Sequence, residues 1–220
     1  MFEVEEYLDL THTIAAKVFE GKEYPWQALP DISSFIENIG PQLPSDIYEQ
    51  RGQNIWVAKT AKVYDSAFIA PNTIICPGAE VRHCAFIRGN AIVGEDAVVG
   101  NSTELKNVIL FDRVQVPHYN YIGDSILGFR AHLGAGAITS NVKSDKTIVH
   151  VKYDGGDIDT GLKKFAAIVG DMVEVGCGSV LNPGTVVGRG SRIYPLSMVR
   201  GTIPAGSVYK KAGEIVEIKD

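Results

Sequence analysis

From Val57 to Leu105 a branched apolar residue returns at every sixth position without a gap: Val57, Val63, Ile69, Ile75, Val81, Ile87, Val93, Val99 and Leu105. A small residue stands two positions before most of them, as at Ala61, Ala67, Thr73, Ala79, Ala85, Ala91 and Ala97. Neither the period of an amphipathic helix nor the alternation of a long strand explains that return. It fits an all-β solenoid of very short strands, each pointing a side chain inward before the chain turns a corner. Three such faces make a coil of about 18 residues, with parallel strands of successive coils about 4.8 Å apart. Residues one coil apart therefore share a corner, and sequence spacing becomes approximate position.

The period is interrupted and then restored. Leu110, Val116 and Ile122 follow a one-residue slip, and Leu127 and Leu133 follow another. Slips in a rigid ladder imply bulges or altered corners, which are common near functional sites. Residues 142–165 are rich in Lys and Asp around Gly155-Gly156 and read as an excursion from the coil, an exposed hairpin or loop. The repeat then resumes at Val169, Val175, Leu181, Val187, Ile193 and Val199. Gly78, Gly89, Gly94 and Gly100, with Asn72 and Asn90, stand where the chain must turn, often with positive φ.

Residues 1–50 obey other rules and form a short helical N-terminal cap or linker ahead of the coil domain, 51–220. Thr11 or Thr13 is expected to cap a helix through Phe19, and Asp31 another running to Ile39, with Pro25, Pro30, Pro41 and Pro44 keeping the pieces short. Their expected task is to cover the open first coil. The tail, with alternating Ile215, Glu217 and Lys219, reads as an extended segment over the last coil or against another subunit.

A chain of 220 residues can bury a substantial core. Its net charge of −5 gives no general reason to bind nucleic acid. No apolar run approaches the roughly 20 residues that span a bilayer. The start, with Glu3, Glu5 and Glu6, lacks a signal-peptide pattern, and no membrane partner is expected. Three cysteines, Cys76, Cys84 and Cys177, without paired spacing argue against a zinc site and for buried or inert thiols in a reducing compartment, so a cytoplasmic protein is expected.

His118, beside a slip in Pro117-His118-Tyr119-Asn120-Tyr121, has the side chain best suited to proton removal near neutrality. His83 and His132 are equally visible on residue type alone. Arg88 and Lys106 lie one coil apart, each directly after an inward residue, and so share a corner as a candidate phosphate clamp or as two solvated charges. Gly134-Ala135-Gly136-Ala137 lacks the pattern of a nucleotide-triphosphate loop and instead permits a close turn or the approach of a slender ligand. Asn141 can donate and accept hydrogen bonds to such a ligand.

Three blocks resemble a known family in order and spacing: Gly100-Asn101-Ser102-Thr103-Glu104-Leu105-Lys106, His118-Tyr119-Asn120-Tyr121-Ile122-Gly123-Asp124-Ser125, and Leu133-Gly134-Ala135-Gly136-Ala137-Ile138-Thr139-Ser140-Asn141. They are similar to the C-terminal acetyltransferase domain of bifunctional N-acetylglucosamine-1-phosphate uridyltransferases, within the hexapeptide-repeat acyltransferases. Asp159-Thr160-Gly161-Leu162-Lys163-Lys164-Phe165 resembles the corresponding archaeal domains. The resemblance implies a single-stranded left-handed β-helix and acetyl-CoA as cosubstrate, with no metal required for acetyl transfer. It implies N-acetylation of glucosamine-1-phosphate or a related amino-sugar-1-phosphate. His118 matches the general base. Arg88 and Lys106 match phosphate-holding residues, Tyr121 and His132 sugar-site positions, and Asn141 a contact to the acetyl group. His132 stands where the bacterial pattern has asparagine. Ala135, Cys177 and Pro195 match positions along the coenzyme channel, the last two replacing smaller residues. The family packs as a homotrimer, and uridyl transfer is not expected from this stretch. An alternative is a non-catalytic sugar-phosphate-binding or regulatory subunit partnering a separate nucleotidyltransferase.

Overall fold

A computed structural model describes residues 2–218. The chain winds as a β-solenoid with three parallel faces. Thr73–Ile75, Ala91–Val93 and Ala167–Val169 belong to the first face, Val98–Asn101, Gln115–His118 and His132–Leu133 to the second, and Phe86–Ile87, Ile138–Thr139 and Val180–Leu181 to the third. The sixth-position residues fill the interior: Ile75, Val81, Ile87, Val93, Val99 and Leu105 have no exposed surface. Left-handed residues turn the corners, Asn72 and Asn90 and also Gly78 and Gly89 as expected. Gly94 and Gly100 are not among them. Their missing side chains matter because the next coil passes too close: a Cβ on Gly100 would lie 1.6 Å from the Pro117 carbonyl oxygen.

The two slips have one location. Strands Glu104–Leu110 and Tyr121–Leu127 run without a break from the third face into the first, turning at Asn107 (φ 55°) and Asp124 (φ 45°). Where earlier coils use three residues at this corner, these use two, so Val108 pairs with Ala91, and Ser125 with Val108. The excursion leaves from the same corner one coil later, which moves the partner of Ile126 to Ile168.

The first face is buried on both sides. Ile74, Ile92, Ile109, Ile126, Ile168 and Val186 alternate with the inward residues, point outward, and are nonetheless fully buried. The N-terminal segment covers them, running against the order of the coils. Tyr7 accepts from the Asp171 N–H (3.0 Å), His12 from the Asp112 N–H (3.0 Å), and Leu29 from the Asn107 amide (3.3 Å). Farther on, Ser33 accepts from the Asn72 amide (2.9 Å). The segment is thus a strap along a face rather than a lid on the first coil. An outward row of isoleucines needs more cover than one coil end does, and Tyr48–Gly52 occupies that edge by pairing antiparallel with Ile55–Ala58.

The expected capping also differs. Thr11 and Thr13 head no continuous helix; Leu10–His12 and Ala16–Phe19 are short 3₁₀ turns. The Asp9 carboxylate accepts from the Thr11 N–H, and the Thr13 hydroxyl from the Ala15 N–H. Asp31 precedes the α-helix Ile32–Ile39 but makes no cap bond, because its carboxylate holds Lys22 at 2.5 Å.

The excursion is a hairpin of His150–Tyr153 against Gly156–Asp159. It is docked rather than free: Val149 and Val151 are fully buried, and the Thr202 hydroxyl donates to the Lys152 carbonyl at 2.9 Å. Phe2, Trp26, Tyr153 and Phe165 tie strap and excursion together, with ring centroids 5.5 to 6.0 Å apart. The tail is a second hairpin, Ser207–Lys211 with Glu214–Glu217, added to the second face. Lys219 lies outside the described residues. No helix among them is long and apolar enough to cross a membrane.

Candidate active site

Two clusters stand at opposite edges of the third face. The first is a column at the corner between the second and third faces. Each residue after this corner is left-handed, including Ser102, Tyr119, Gly136, Gly178 and Leu196. Each donates its N–H to the carbonyl one coil back: Tyr119 to Asn101, Gly136 to His118, Gly178 to Ala135, and Leu196 to Cys177, all at 2.9 Å. His118, Ala135, Cys177 and Pro195 are therefore stacked in successive coils, three steps of about 4.8 Å. His118 is exposed, and no heavy atom lies within 4 Å of where a Gly136 side chain would begin. The column thus leaves open space at Gly136 beside an exposed imidazole.

Buried Asn120 fixes that corner. Its side-chain oxygen accepts from the His118 N–H (3.1 Å), and its amide donates to the carbonyls of Gly134 (2.9 Å) and Ala137 (3.0 Å). Sequence reading passed over Asn120. The available signal was a polar residue one place before the strand that carries Tyr121, where the other coils have small residues.

The second cluster lies at the corner between the third and first faces. Arg88, Lys106 and Gly123 share one outward row, since Leu105 pairs with Ile87 and Lys106 with Gly123. The Tyr121 ring lies over the bare Gly123 backbone, where a Cβ would be 2.6 Å from its hydroxyl oxygen. Neither cation is free. Arg88 donates to Glu104 at 2.8 Å, and Lys106 to both oxygens of Asp124 at 2.7 and 2.9 Å. The corner supplies a carboxylate to each cation, Glu104 to Arg88 and Asp124 to Lys106.

Asp124 is the centre of this cluster and was missed by sequence reading. It is 3 % exposed and also accepts from the side-chain amides of Asn107 (3.0 Å) and Asn141. The slip puts it there, because shortening the corner brings its side chain back under Lys106. Burial, then the charges of Asp124 and Glu104, push the Tyr121 phenol above its ordinary pKa; Arg88 and an Asn141 hydrogen bond pull the other way.

Of the nine residues singled out, Arg88, Lys106, Tyr121 and Asn141 are thus gathered at one corner, and His118, Ala135, Cys177 and Pro195 at another. The two corners bound the same face, and His118 and Gly123 are joined by a span of at most about 18 Å of extended chain. His132 belongs to neither. It lies on the second face, paired in register with Gln115 and Glu174, and its Nδ1 is 2.7 Å from the Glu174 carboxylate. Cys177 is exposed, as is Cys84, so only Cys76 is the buried thiol expected. Among the described residues no group of three or more His, Cys, Asp or Glu is placed to hold a metal ion.

A family model described as the GMPPB C-terminal domain matches residues 69–187, more than half of the chain. The chain belongs to the hexapeptide-repeat left-handed β-helix acetyltransferase family. The matched span of this hexapeptide-repeat protein includes both corners except Pro195. It is 33% identical over 196 residues to the bifunctional protein GlmU of Methanococcus vannielii, covering 88% of this chain and 47% of that protein. It is 30% identical over 126 residues to the bifunctional sugar-1-phosphate nucleotidylyltransferase/acetyltransferase of Sulfurisphaera tokodaii, covering 57% of this chain and 31% of that one. The chain thus spans about half the length, or less, of these relatives. Among solved structures, the polySia-specific acetyltransferase NeuO aligns with a TM-score of 0.50 at 14% identity, over 72% of this chain and 79% of that chain, a likeness of fold.

Proposed function

We propose that this protein is an acetyl-CoA-dependent N-acetyltransferase acting on glucosamine-1-phosphate or a closely related amino-sugar-1-phosphate. The observation that carries this reading is the gathering of Arg88, Lys106, Tyr121 and Asn141 at one edge of the face whose other edge bears His118. The name of the Sulfurisphaera tokodaii relative, which joins sugar-1-phosphate chemistry to acetyl transfer, supports it.

Each residue has a task that its surroundings allow. Neutral His118 takes the proton from the sugar amine as nitrogen attacks the thioester carbonyl; the thiolate leaves, and the amide forms. Such proton transfer contributes about 10² to 10⁴ in rate. The Gly136 N–H is held by the His118 carbonyl and therefore fixes the imidazole's backbone rather than receiving negative charge. Ala135, Cys177 and Pro195 border the track along which the pantetheine arm of acetyl-CoA runs. At the other corner, Arg88 is the easier cation to recruit for a phosphate, because its pair with Glu104 is solvent-exposed and screened. Lys106, held by buried Asp124, gives the phosphate a fixed charge to approach, and Tyr121 and Asn141 border the sugar. His132, on the second face, reaches this site only through a neighbouring copy, and we assign such a copy to a homotrimer.

The experiment is CoA release by the purified protein with acetyl-CoA and a panel of amino-sugar phosphates. Turnover with a 2-amino-sugar-1-phosphate is expected; a folded oligomer inert on the whole panel refutes the assignment. A second reading, a sugar-phosphate-binding subunit without transfer, draws on Glu104 and Asp124 already occupying both cations. Calorimetry separates the two: sugar-phosphate binding without acetyl-CoA binding favours the second.

A further inference from the structure

The docked excursion encloses a cavity that the acetyl-transfer reading does not use. It has a volume of about 550 Å³ and lies between the hairpin and the corner that joins the third and first faces. Ser140, Asn182 and Arg200 form its floor, continuing the row of Arg88, Lys106 and Gly123 along the solenoid. Arg200 is four coil steps from Lys106, roughly 19 Å at 4.8 Å a step, while the near end of the cavity at Ser140 is two steps away and adjoins Asn141.

Its charge is unusual for this acidic chain. Lys143, Lys152, His150 and Arg200 line it against two carboxylates, Asp145 and Asp157. Both carboxylates are engaged. Asp145 accepts from the Thr147 N–H (3.0 Å) and hydroxyl (2.9 Å) and lies 3.5 Å from Lys143, while Asp157 lies 3.3 Å from His150 Nδ1. That imidazole nitrogen is enclosed, and Asp157 approaches it as an ion-pair contact without forming a hydrogen bond. Arg200 and Lys152 carry no carboxylate at all among the described residues. The hairpin is docked without these two side chains: the Thr202 hydroxyl donates to the Lys152 carbonyl, Val149 and Val151 are buried, and Gly184 and Gly201 (φ +83° and +81°) let the strand come close. The two cations are therefore not needed to hold the hairpin down, and they face a common space large enough for a small metabolite's charged end.

The geometry points to a phosphomonoester-binding site beneath the excursion, with Arg200 gripping two oxygens and Lys152 supplying a point charge from the hairpin. The shared chemistry is a dianionic phosphoryl group, whether carried by the coenzyme or by a free phosphorylated metabolite. The site stands independently of the acetyl-transfer assignment.

The test is isothermal titration of inorganic phosphate into the 220-residue chain at fixed ionic strength, compared with Arg200→Ala, Lys152→Ala, Arg88→Ala and Arg192→Ala. Arg192 is an exposed cation on the second face and reports non-specific attraction. Loss of a charged hydrogen bond predicts a weakening of about tenfold for Arg200→Ala and for Lys152→Ala, with Arg192→Ala unchanged. Both side chains are exposed, and unaltered far-ultraviolet circular dichroism checks that the variants fold. Competition identifies the source: displacement of phosphate by CoA but not by dephospho-CoA marks the coenzyme's phosphomonoester, and displacement by neither marks a free metabolite. Absence of phosphate binding at millimolar concentration, or binding that only Arg88→Ala weakens, overturns the site.

Discussion

At the residue scale, function and placement separate cleanly at His118. Its side chain is exposed while its backbone is fixed by Asn120 and Gly136, so His118→Ala removes an imidazole without opening the core. The expected outcome is a fall in acetyl-transfer kcat of about 10² to 10⁴ with an unchanged melting curve, measured by CoA release. At the opposite corner, Arg88→Ala should raise KM for an amino-sugar phosphate roughly tenfold while leaving its unphosphorylated analogue almost unaffected. Equal effects on the two substrates count against a phosphate contact.

The thiols give a third residue-scale test. Burial pushes Cys76 up from 9.0 to about 12, despite a Tyr48 hydrogen bond that acts the other way. At pH 8 its thiol stays protonated, so iodoacetamide should modify Cys84 and Cys177 and spare Cys76, as read by peptide mass spectrometry. Acetyl-CoA should slow alkylation of Cys177 and not of Cys84, because Cys177 follows His118 and Ala135 along the proposed pantetheine path while Cys84 stands at the same corner two coils before His118. The sign for stability follows from the raised value. The folded state keeps a proton that the unfolded chain releases above about pH 9, so this contribution is complete below pH 9 and is lost as pH rises toward 12.

At the element scale, strap and excursion depend on close backbone approach. Gly184 has φ +83°, and a Cβ there would stand 2.3 Å from the His150 carbonyl oxygen. Gly184→Ala should therefore lift the hairpin, costing about 1 to 3 kcal/mol, with faster amide exchange confined to the docked strand and its neighbours. Exchange that rises uniformly instead means the hairpin unfolds only with the whole solenoid. The strap was harder to foresee than the coil. Its apolar residues could be seen, but their partner was hidden in the middle residues of Thr73-Ile74-Ile75, Ala91-Ile92-Val93 and Val108-Ile109-Leu110. A face that is apolar at every position is buried on both sides, and that signal recurs once per coil beneath the stronger six-residue one.

At the scale of the whole molecule, one chain leaves Phe68, Phe86 and Met198 exposed in the outward row of the third face, at 59, 42 and 68 %. The same face separates the His118 column from the Arg88 corner. We assign this row to the interface of the proposed trimer, whose shared site then draws on more than one copy. Phe86→Glu should dissociate it, seen as a threefold lower mass by light scattering, and should abolish acetyl transfer along with assembly. A monomeric but fully active Phe86→Glu variant refutes the shared site.

The sequence by itself determined the solenoid, because a six-residue return of branched apolar side chains admits few other foldings and makes position along the chain predict position in the stack. It also determined that Arg88 and Lys106 are neighbours and that His118 lies beside a slip. Tertiary structure decided what those neighbours touch. The Lys106–Asp124–Asn141 cluster depends on a corner shortened by one residue, the strap on an outward row it alone covers, and the cavity at Arg200 on a hairpin that folds back four coil steps from Lys106. Periodicity fixes the lattice; the direction of a side chain at an irregular corner is set by whatever packs across it.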